Sequence, residues 1–294
     1  MTKLAATEWG ALATAIHHLD PDPTDPPWKD NCWFVGWDAD RSAYVLIHAS
    51  TSPNGPTRTR VHVEIDRRER DLVEEPPGDD FSTAHVAVDL AGRVRVDGPD
   101  FTVDLHFIPR LSAFNYTAID LIPALGDRPP LDHWQQSARV YGMVRIGNEE
   151  VAFDGLGFRD RTWGWRDEAA QFDEYHGGCV TFPDAALTLI KFGASGTRVG
   201  VGGFLEDSEG LRQVIDCEVD RNSAGLLAGI GITLNDASHR SYDVESTGSG
   251  LWMHFGPTRR RGPALASYEE FLRFAGPDGI GYGVWEHGQL RRLC

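Results

Sequence analysis

Residues 157–168, GFRDRTWGWRDE, bring three arginines, three acidic residues and two tryptophans into one short segment. If the segment is a strand, Arg159, Arg161 and Trp163 share one face, and Asp160 lies on the other. Arginine–carboxylate pairs and arginine stacked on indole are typical of a structural clasp. The segment could also present Asp160 as a general acid, although a carboxylate paired with a cation is a poor acid. The residues alone leave both interpretations open.

A second polar segment, FDEYHGG at residues 172–178, offers further acid–base groups. Glu174, Tyr175 and His176 each carry a proton that a reaction could use. The simpler interpretation is a polar loop that enters the next strand. Loops at the mouth of a barrel are, however, where ligands are usually bound.

Metal and nucleophile motifs are not apparent. The HHLD segment at residues 17–20 has no third ligand at a suitable spacing, so we predict no metal site. The sequence has no Gly-x-Ser-x-Gly elbow, phosphate-binding loop or His-Glu-x-x-His motif. The four cysteines are far apart and form no Cys-x-x-Cys pair, which predicts thiols in a reducing compartment, with the terminal one exposed. They are Cys32, Cys179, Cys217 and Cys294.

Charge and composition limit the partners. The chain of 294 residues carries a net charge of −16, which argues against binding to nucleic acid or to an anionic membrane. No apolar run is long enough to span a membrane, and the N-terminus has no secretory core. We therefore expect a cytoplasmic protein, with a short amphipathic helix at residues 5–18. Its oligomeric state is open.

The elements that would position these residues are mostly strands. NCWFVGW and AYVLIHAS, joined by DADRS, predict a hairpin, and VYGMVRIGNEEVAFDG predicts another around a Gly-Asn turn. Val61, Val63 and Ile65 alternate with polar residues, as in a half-buried strand. SYEEFLRFAG at residues 267–276 is the one clear helix candidate in the second half. Many short strands predict an all-β fold of antiparallel barrels or sandwiches.

The Pro-rich stretch LIPALGDRPPLDHWQQ, residues 121–136, indicates a domain boundary near the middle of the chain. We predict an N-terminal helical extension at residues 1–25, one barrel at residues 26–135 and a second barrel at residues 136–294.

Three segments resemble motifs of the hydroxyneurosporene synthase (carotenoid hydratase) and AttH-like superfamily, and they occur along the chain in the order of that family. In chain order they are PPWKDNCWFVGWDADRSAYVLIHAS, ARVYGMVRIGNEEVAFDGLGFRDRTWGWRD and GPDGIGYGVWEHGQL. The resemblance implies two lipocalin-like β-barrels packed side by side, with few short helices. It also implies hydration, terpenoid cyclisation or pericyclic chemistry on apolar unsaturated substrates, with no cofactor. Where relatives often have histidine in the central motif, this chain has Arg161, which is a poor acid.

The resulting hypothesis is a cofactor-independent cyclase, hydratase or isomerase that acts on an apolar unsaturated small molecule, such as a terpenoid or polyketide intermediate. Asp160 is the predicted acid or orienting carboxylate, Arg159 its partner and Trp163 an aromatic wall. The other predicted catalytic groups are Glu174, Tyr175 and His176. The predicted substrate contacts besides Trp163 are Trp33, Trp37, His48, Asn115, Tyr116 and Glu286.

Two alternatives remain open. Lipocalin-like barrels bind lipophilic molecules readily, so the chain could be a non-catalytic carrier. A carbohydrate-active protein would be consistent with the many acidic residues and the nine tryptophans, but the separation of two carboxyl groups that such chemistry needs cannot be obtained from sequence.

Overall fold

A computed structural model describes the fold for residues 8–17, 19–22, 24–77, 79–167, 171, 173–194, 197–255 and 262–293. The chain divides into two compact units. The first contains residues 1–117 and 124–166, and the second contains residues 118–123 and 167–294. The predicted boundary at residues 135 and 136 therefore does not coincide with the division that the structure makes.

The first unit is one antiparallel sheet, in the order β4-β3-β2-β1-β10-β9-β7-β6-β5, with β8 paired to β9. Its edge strands β4 and β5 are not paired with each other, so the sheet forms an open half-barrel. The strands are β1 (Trp28–Asp38), β2 (Ala43–Thr51), β3 (Arg58–Ile65), β4 (Arg68–Glu74), β5 (Val86–Asp89), β6 (Arg93–Asp97), β7 (Phe101–Pro109), β8 (Phe114–Asn115), β9 (Asp132–Ile146) and β10 (Glu149–Trp165).

Both predicted hairpins of this unit are confirmed. A short 3-10 helix, Ala39–Arg41, joins β1 to β2, and the turn at Gly147, whose φ is +58°, joins β9 to β10. The two long strands β9 and β10 pair with β7 and β1, respectively, in the centre of the first sheet. The pairing explains why the residues after the Pro-rich stretch belong to the first unit.

One face of this sheet carries the apolar core, which we call the core face. Phe34, Val45, Val63 and Val140 are fully buried there and belong to one cluster. Since side chains alternate along a strand, the same face of β10 receives its odd-numbered residues. Phe153 at one end of β10 is part of the cluster, and Arg159 and Arg161 follow on the same face.

The N-terminal segment packs into this core, and the predicted amphipathic helix is wrong for the described residues 8–17. They contain only a 3-10 turn, Gly10–Ala13, and the chain is extended at Thr14, with ψ of 150°. Trp9 and Leu12 are buried members of the core cluster. Gly10 has a φ of +52°, which a right-handed helix does not permit. Residues 5–7 and 18 of the predicted helix lie outside the described residues.

The second unit is a closed antiparallel barrel, in which β18 pairs with β11. Its strands are β11 (Glu174–Thr181), β12 (Ala186–Ala194), β13 (Thr197–Asp207), β14 (Gly210–Arg221), β15 (Leu227–Leu234), β16 (His239–Phe255), β17 (Gly262–Gly276) and β18 (Gly279–Leu293). One face of its strands carries an apolar cluster that includes Val180, Leu189, Leu272 and Trp285. We call this the inner face.

The predicted helix at residues 267–276 is wrong, because this segment is the second half of β17. It pairs along its whole length with β16 on one side and β18 on the other. Its local helix signals, Ser267 as a cap and Gly276 as a stop, are outweighed by the hydrogen bonds and core contacts that a central strand gains. The neighbouring strand β16 is interrupted by a bulge between Ser246 and Ser249.

The all-β fold class is confirmed. Within the described part of the chain, Gln171 is α-helical, and the other helical elements are 3-10 turns of three or four residues, the third being Thr117–Ile119. No helix among those residues is long and apolar enough to cross a bilayer.

Candidate active site

Strand β10 carries the arginines of the central motif on one face and its carboxylate on the other. Arg159 and Arg161 are fully buried on the core face. Asp160 points the opposite way, toward the face that also carries Trp33, and we call this the Asp160 face. The alternation predicted from the sequence is therefore present.

Arg161 binds the N-terminal segment and the buried Asp30. Its Nε and Nη2 atoms donate to the two carboxylate oxygens of Asp30 at 2.7 and 2.8 Å. Its Nη1 donates to the carbonyl oxygen of Thr14 at 2.9 Å. Asp30 also accepts from the backbone N–H of His17 at 2.8 Å, and the His17 ring stacks on Trp163 with 4.1 Å between ring centroids. Arg161 is thus a structural cation.

Arg159, two residues before Arg161 on β10, is a second structural cation. Its guanidinium donates to the carbonyl oxygens of Leu12 and of Leu90, the latter at 2.5 Å, and it lies 4.9 Å from the ring of Trp9. Burial lowers its pKa to about 9, so it remains a cation at neutral pH. The predicted pairing of Arg159 with Asp160 is wrong, because adjacent residues of a strand face opposite sides of the sheet.

These contacts also explain why the described residues 8–17 form no α-helix. The carbonyl oxygens of Leu12 and Thr14, which a helix would use for its own hydrogen bonds, accept from the two arginines instead. Charged donors form stronger hydrogen bonds than a backbone N–H does. The structural-clasp interpretation is therefore correct for the arginine side of the motif.

Asp160 forms a buried pair with a histidine. His133 Nε2 lies 2.5 Å from Asp160 Oδ2, and Gln135 Nε2 donates to the same oxygen at 3.0 Å. Tyr116 in turn donates its hydroxyl to Gln135 Oε1 at 3.2 Å, and its ring packs on His133 with 4.8 Å between centroids. The side chains of Asp160 and His133 keep 13% and 10% of their surface exposed, respectively, so a small ligand could reach them.

Trp33 and His48 continue the row across the sheet. Trp33 is opposite Asp160 on β1, and His48 is opposite Trp33 on β2. Burial lowers the pKa of His48 to about 4, and the positive charge of Arg166 acts in the same direction, whereas Asp160 opposes it. His48 is therefore neutral at pH 7. Val35 and Phe158, fully buried, form the next row of the same face.

Three further predicted contacts lie elsewhere in the first unit. Trp37 is on the Asp160 face but four residues beyond Trp33, about 13 Å along the strand. Asn115 pairs in register with Trp134, and its side chain accepts a hydrogen bond from the backbone of Thr117. Trp163 is on the core face, next to Arg161 at 6.0 Å, so it is not a wall beside Asp160.

The remaining predicted residues belong to the barrel of the second unit. Glu174 and His176 are on its inner face, with 2.5 Å between Glu174 Oε1 and His176 Nε2. Burial lowers the pKa of His176. Tyr175 and Glu286 alternate with them and lie on the outer face, where Tyr175 packs against Phe192. Site residues predicted together thus divide between two units and between opposite faces within each.

His133 and Gln135 were not predicted as site residues, although the sequence contained the signal. The Gly-Asn turn fixes the register of the β9–β10 hairpin. Counting back from that turn places Gln135 opposite Asp160 and His133 opposite Thr162, as the structure has them. The Pro-rich residues before them indicate a domain boundary instead.

Among the described residues, no group of three or more His, Cys, Asp and Glu side chains is arranged to hold a metal ion. Cys32, Cys179 and Cys217 are buried, and none of these three described cysteines forms a disulfide. Cys294 lies outside the described residues.

Comparisons with known proteins give a family and a fold. A family model described as Domain of unknown function (DUF7064) matches residues 12–291. A search of curated protein sequences finds no match.

Three solved structures share the fold. An AttH-type protein of Nitrosomonas europaea superposes with a TM-score of 0.65 at 13% identity, over 97% of this chain and 98% of its own. Kievitone hydratase of Nectria haematococca gives 0.62 at 14% identity, over 97% and 95%. The protein CghA gives 0.61 at 12% identity, over 91% and 89%. These matches confirm the predicted two-barrel lipocalin-like fold.

Proposed function

This chain belongs to the family described as Domain of unknown function (DUF7064), and we propose that it is an enzyme that adds water to, or cyclises, an apolar small molecule with an activated double bond. The observation that carries the proposal is the His133–Asp160 pair, buried on a face that also carries Trp33, Val35 and Phe158. The proposed reaction neither oxidises nor reduces the substrate overall, so it requires no redox cofactor.

Asp160 gives His133 a defined role. The carboxylate can only accept a hydrogen bond, so the proton of the neutral imidazole is on Nε2 and Nδ1 has the lone pair. The negative charge of Asp160 also stabilises the imidazolium that forms when Nδ1 takes up a proton, as the carboxylate does in a catalytic triad. His133 is therefore the proton-transfer group, and Asp160 positions it.

Hydration of a conjugated carbonyl compound would use two proton transfers by His133. His133 Nδ1 removes a proton from water while the water oxygen forms a bond to the electrophilic carbon. The π electrons move onto the carbonyl oxygen, and the proton on Nδ1 then passes to the neighbouring carbon. A cyclisation uses the same two proton transfers, with a nucleophile of the substrate in place of water.

Two further groups beside the His133–Asp160 pair suit an uncharged part of the substrate. Asp160 Oδ2 accepts from both His133 and Gln135, whereas Oδ1 has no donor among the described residues. That oxygen is available to a hydroxyl group of the substrate. Neutral His48 adds a polar group without charge, and Trp33 supplies apolar surface.

The names of two neighbours support the same class of chemistry. Kievitone hydratase is named for the addition of water to an organic molecule, and CghA has been solved with the small molecule Sch210972. Since both share only the fold with this chain, its reaction and substrate are proposals. We also propose that the protein functions in the cytoplasm.

The test is turnover of kievitone and of a panel of conjugated enones and polyenes, followed by mass spectrometry for gain of water or for an isomer. Two variants remove the proposed chemistry: Asp160→Asn, and His133→Gln, whose amide can still donate to Asp160. Each should lower turnover by about 10²–10⁴-fold, as expected for the loss of general acid–base catalysis. Asp154→Asn is the matched control, because Asp154 is an exposed residue of the same strand whose partner is Arg139.

Two outcomes would contradict the proposal. Unchanged turnover in both variants would remove the His133–Asp160 pair from the chemistry. Recovery of every panel member unchanged from wild-type protein, with tight binding of one of them, would instead establish the carrier function.

A further inference from the structure

The barrel of the second unit has an inner face of two different kinds. One part is apolar and fully packed, and includes Val180, Leu189 and Leu272. Beside it lies a group of polar side chains that the register also directs inward. His176 pairs with His287, Trp285 pairs with Glu270, and Leu272 pairs with Ser246. We call His176, His287, Glu270, Ser246 and Trp285 the polar layer.

The members of the polar layer are close neighbours. The rings of His176 and His287 lie 5.9 Å apart, and those of Trp285 and His287 lie 6.4 Å apart. Ser246 donates its hydroxyl to Glu270 Oε1 at 2.6 Å. The other carboxylate oxygen, Oε2, is 3.7 Å from His287 Nε2, which is too long for a hydrogen bond and leaves that oxygen to another donor.

Several polar atoms of this layer are buried without a hydrogen-bond partner at ordinary distance among the described residues. They are Trp285 Nε1, His176 Nδ1, His287 Nε2 and Glu270 Oε2. Trp285 is 1% exposed and Glu270 is 2% exposed, so bulk water does not satisfy them. Buried polar groups nearly always have partners, and each one left without a partner costs about 1–3 kcal/mol. Two of the four, His287 Nε2 and Glu270 Oε2, face each other across the 3.7 Å ion pair. The gap between them, together with the unpartnered Trp285 Nε1 and His176 Nδ1, indicates a site built for a ligand.

The unpartnered atoms define what the ligand must offer. An indole N–H can only donate and a carboxylate can only accept, and a single hydroxyl group satisfies both. Burial alone would raise the pKa of Glu270, but the neighbouring His287 and the hydrogen bond from Ser246 hold it below its usual value. Glu270 is therefore ionised at neutral pH and acts as an acceptor.

The surroundings favour a neutral aromatic molecule. The negative charges of Glu174 and Glu270 are offset by Lys191, at the register position of His176, and by Arg221, whose Nη1 is 3.4 Å from His287 Nδ1. Trp252 and Tyr268 extend the row of His287, with 5.2 Å between their rings. An aromatic ligand can stack against such a pair.

The position of the Trp285 indole is fixed by the strand beneath it. A methyl group at Gly178 would lie 2.5 Å from Cε3 of Trp285, so the ring lies directly on the backbone of β11. An eight-stranded barrel is just wide enough to hold side chains or one small ligand. A ligand beside this indole must therefore be small.

We propose that the polar layer binds the hydroxyl group of a small neutral phenol, which accepts a hydrogen bond from Trp285 Nε1 and donates one to Glu270 Oε2. The site belongs to the second unit and does not depend on the proposed reaction at Asp160. The polar layer is thus either a regulatory site for a phenolic ligand or a binding site for phenolic molecules in addition to the proposed site at Asp160.

The experiment is a titration of the full-length ¹⁵N-labelled protein with phenol, followed through the indole N–H signals in NMR spectra. The signal of Trp285 is identified as the one missing from Trp285→Phe. We expect it to move saturably with phenol and not with toluene, which has the ring without the hydroxyl. Anisole, which can accept but not donate, should bind at least tenfold more weakly than phenol.

Variants locate the effect. Glu270→Gln keeps the side-chain shape but replaces one of the two accepting oxygens with an NH2 donor and removes the negative charge. It should therefore weaken phenol binding at least tenfold. Asp160→Asn should leave phenol binding unchanged. Equal responses to phenol and toluene, or unchanged binding in Glu270→Gln, would overturn the proposal. An unmoved Trp285 signal would overturn it too and would assign the layer to bound water alone. Because the readout is binding in the second unit, these results are independent of turnover.

Discussion

Replacing Arg161 with leucine should leave a buried carboxylate without its cation. Arg161 and Asp30 are 0% and 1% exposed, and Arg161→Leu removes two hydrogen bonds to Asp30 and one to the carbonyl oxygen of Thr14. Among the described residues, the Asp30 carboxylate then keeps only its contacts with His17. The N-terminal segment loses one of the two cations that bind it.

The expected cost follows from these contacts. Breaking a buried ion pair by removing one partner typically costs about 3–5 kcal/mol, because the remaining charge is uncompensated. Since the N–H of His17 still donates to Asp30, we expect Arg161→Leu to lose about 3 kcal/mol of unfolding free energy. Adding Asp30→Asn removes the uncompensated charge, so the double variant should regain about 1–2 kcal/mol.

The assay is urea unfolding followed by circular dichroism, together with limited proteolysis of the N-terminal segment. Arg139→Leu is the control, because Arg139 and Asp154 form an exposed pair on the neighbouring strands β9 and β10, and such pairs contribute about 0–1 kcal/mol. In Arg161→Leu, the segment should be cleaved faster than in wild type. A loss below about 1 kcal/mol, or a double variant less stable than Arg161→Leu, would refute the clasp.

Two further predictions concern the first unit. Because the pKa of His48 falls from about 6.5 in the unfolded chain to about 4 in the folded protein, its contribution to stability is complete above about pH 6.5 and is lost as the pH falls toward 4. Urea unfolding should therefore show that wild type loses up to about 2 kcal/mol more than His48→Gln between pH 7 and about pH 4, with its partial exposure limiting the effect; equal losses would contradict this. Gly92→Ala should destabilise the protein by more than about 1 kcal/mol, because its φ is +110° and the added methyl would lie 2.4 Å from the Phe107 carbonyl oxygen and 2.8 Å from Trp9 Nε1. The same change at Gly126, whose φ is +64° and where nothing lies within 4 Å, should cost less in the same unfolding measurement, and equal costs would show that crowding around Trp9 is unimportant.

Local sequence patterns predicted much of the fold. The two hairpins of the first unit are confirmed because short-range turn chemistry at Gly147 and at the DADRS segment sets them. The opposite directions of Arg161 and Asp160 follow from the two-residue period of a strand. The hairpin turns and the strand alternation are set by residues close together in the sequence, so they can be predicted from the sequence alone.

The rest depended on contacts between distant residues. Nothing near Arg161 in the sequence indicates that its partner is Asp30 or that the carbonyl oxygen of Thr14 completes its shell. The helix predicted at residues 267–276 failed for the same reason, since pairing with β16 and β18 outweighs local preference. Alternation along the strand predicts that Arg161 and Asp160 point in opposite directions. Which of the two faces carries the core depends on the packing of distant strands and of the N-terminal segment.

These long-range contacts also change what the motif means. The resemblance places a histidine of relatives at the position of Arg161, which suggested altered proton chemistry. In this chain Arg161 faces Asp30 on the core face, and the histidine beside Asp160 is His133, contributed by β9. A substitution at position 161 therefore changes the clasp without touching the pair that we propose to move protons.

The most direct measurement of this division is turnover per folded molecule in Asp160→Asn and in Arg161→Leu, assayed with kievitone or with whichever panel member the wild type converts. We predict that Asp160→Asn loses at least 10²-fold in turnover, whereas folded Arg161→Leu keeps turnover within a few-fold of wild type despite its lower stability. The opposite pattern, in which turnover survives in Asp160→Asn and is lost in folded Arg161→Leu, would contradict the assignment of chemistry to the Asp160 face.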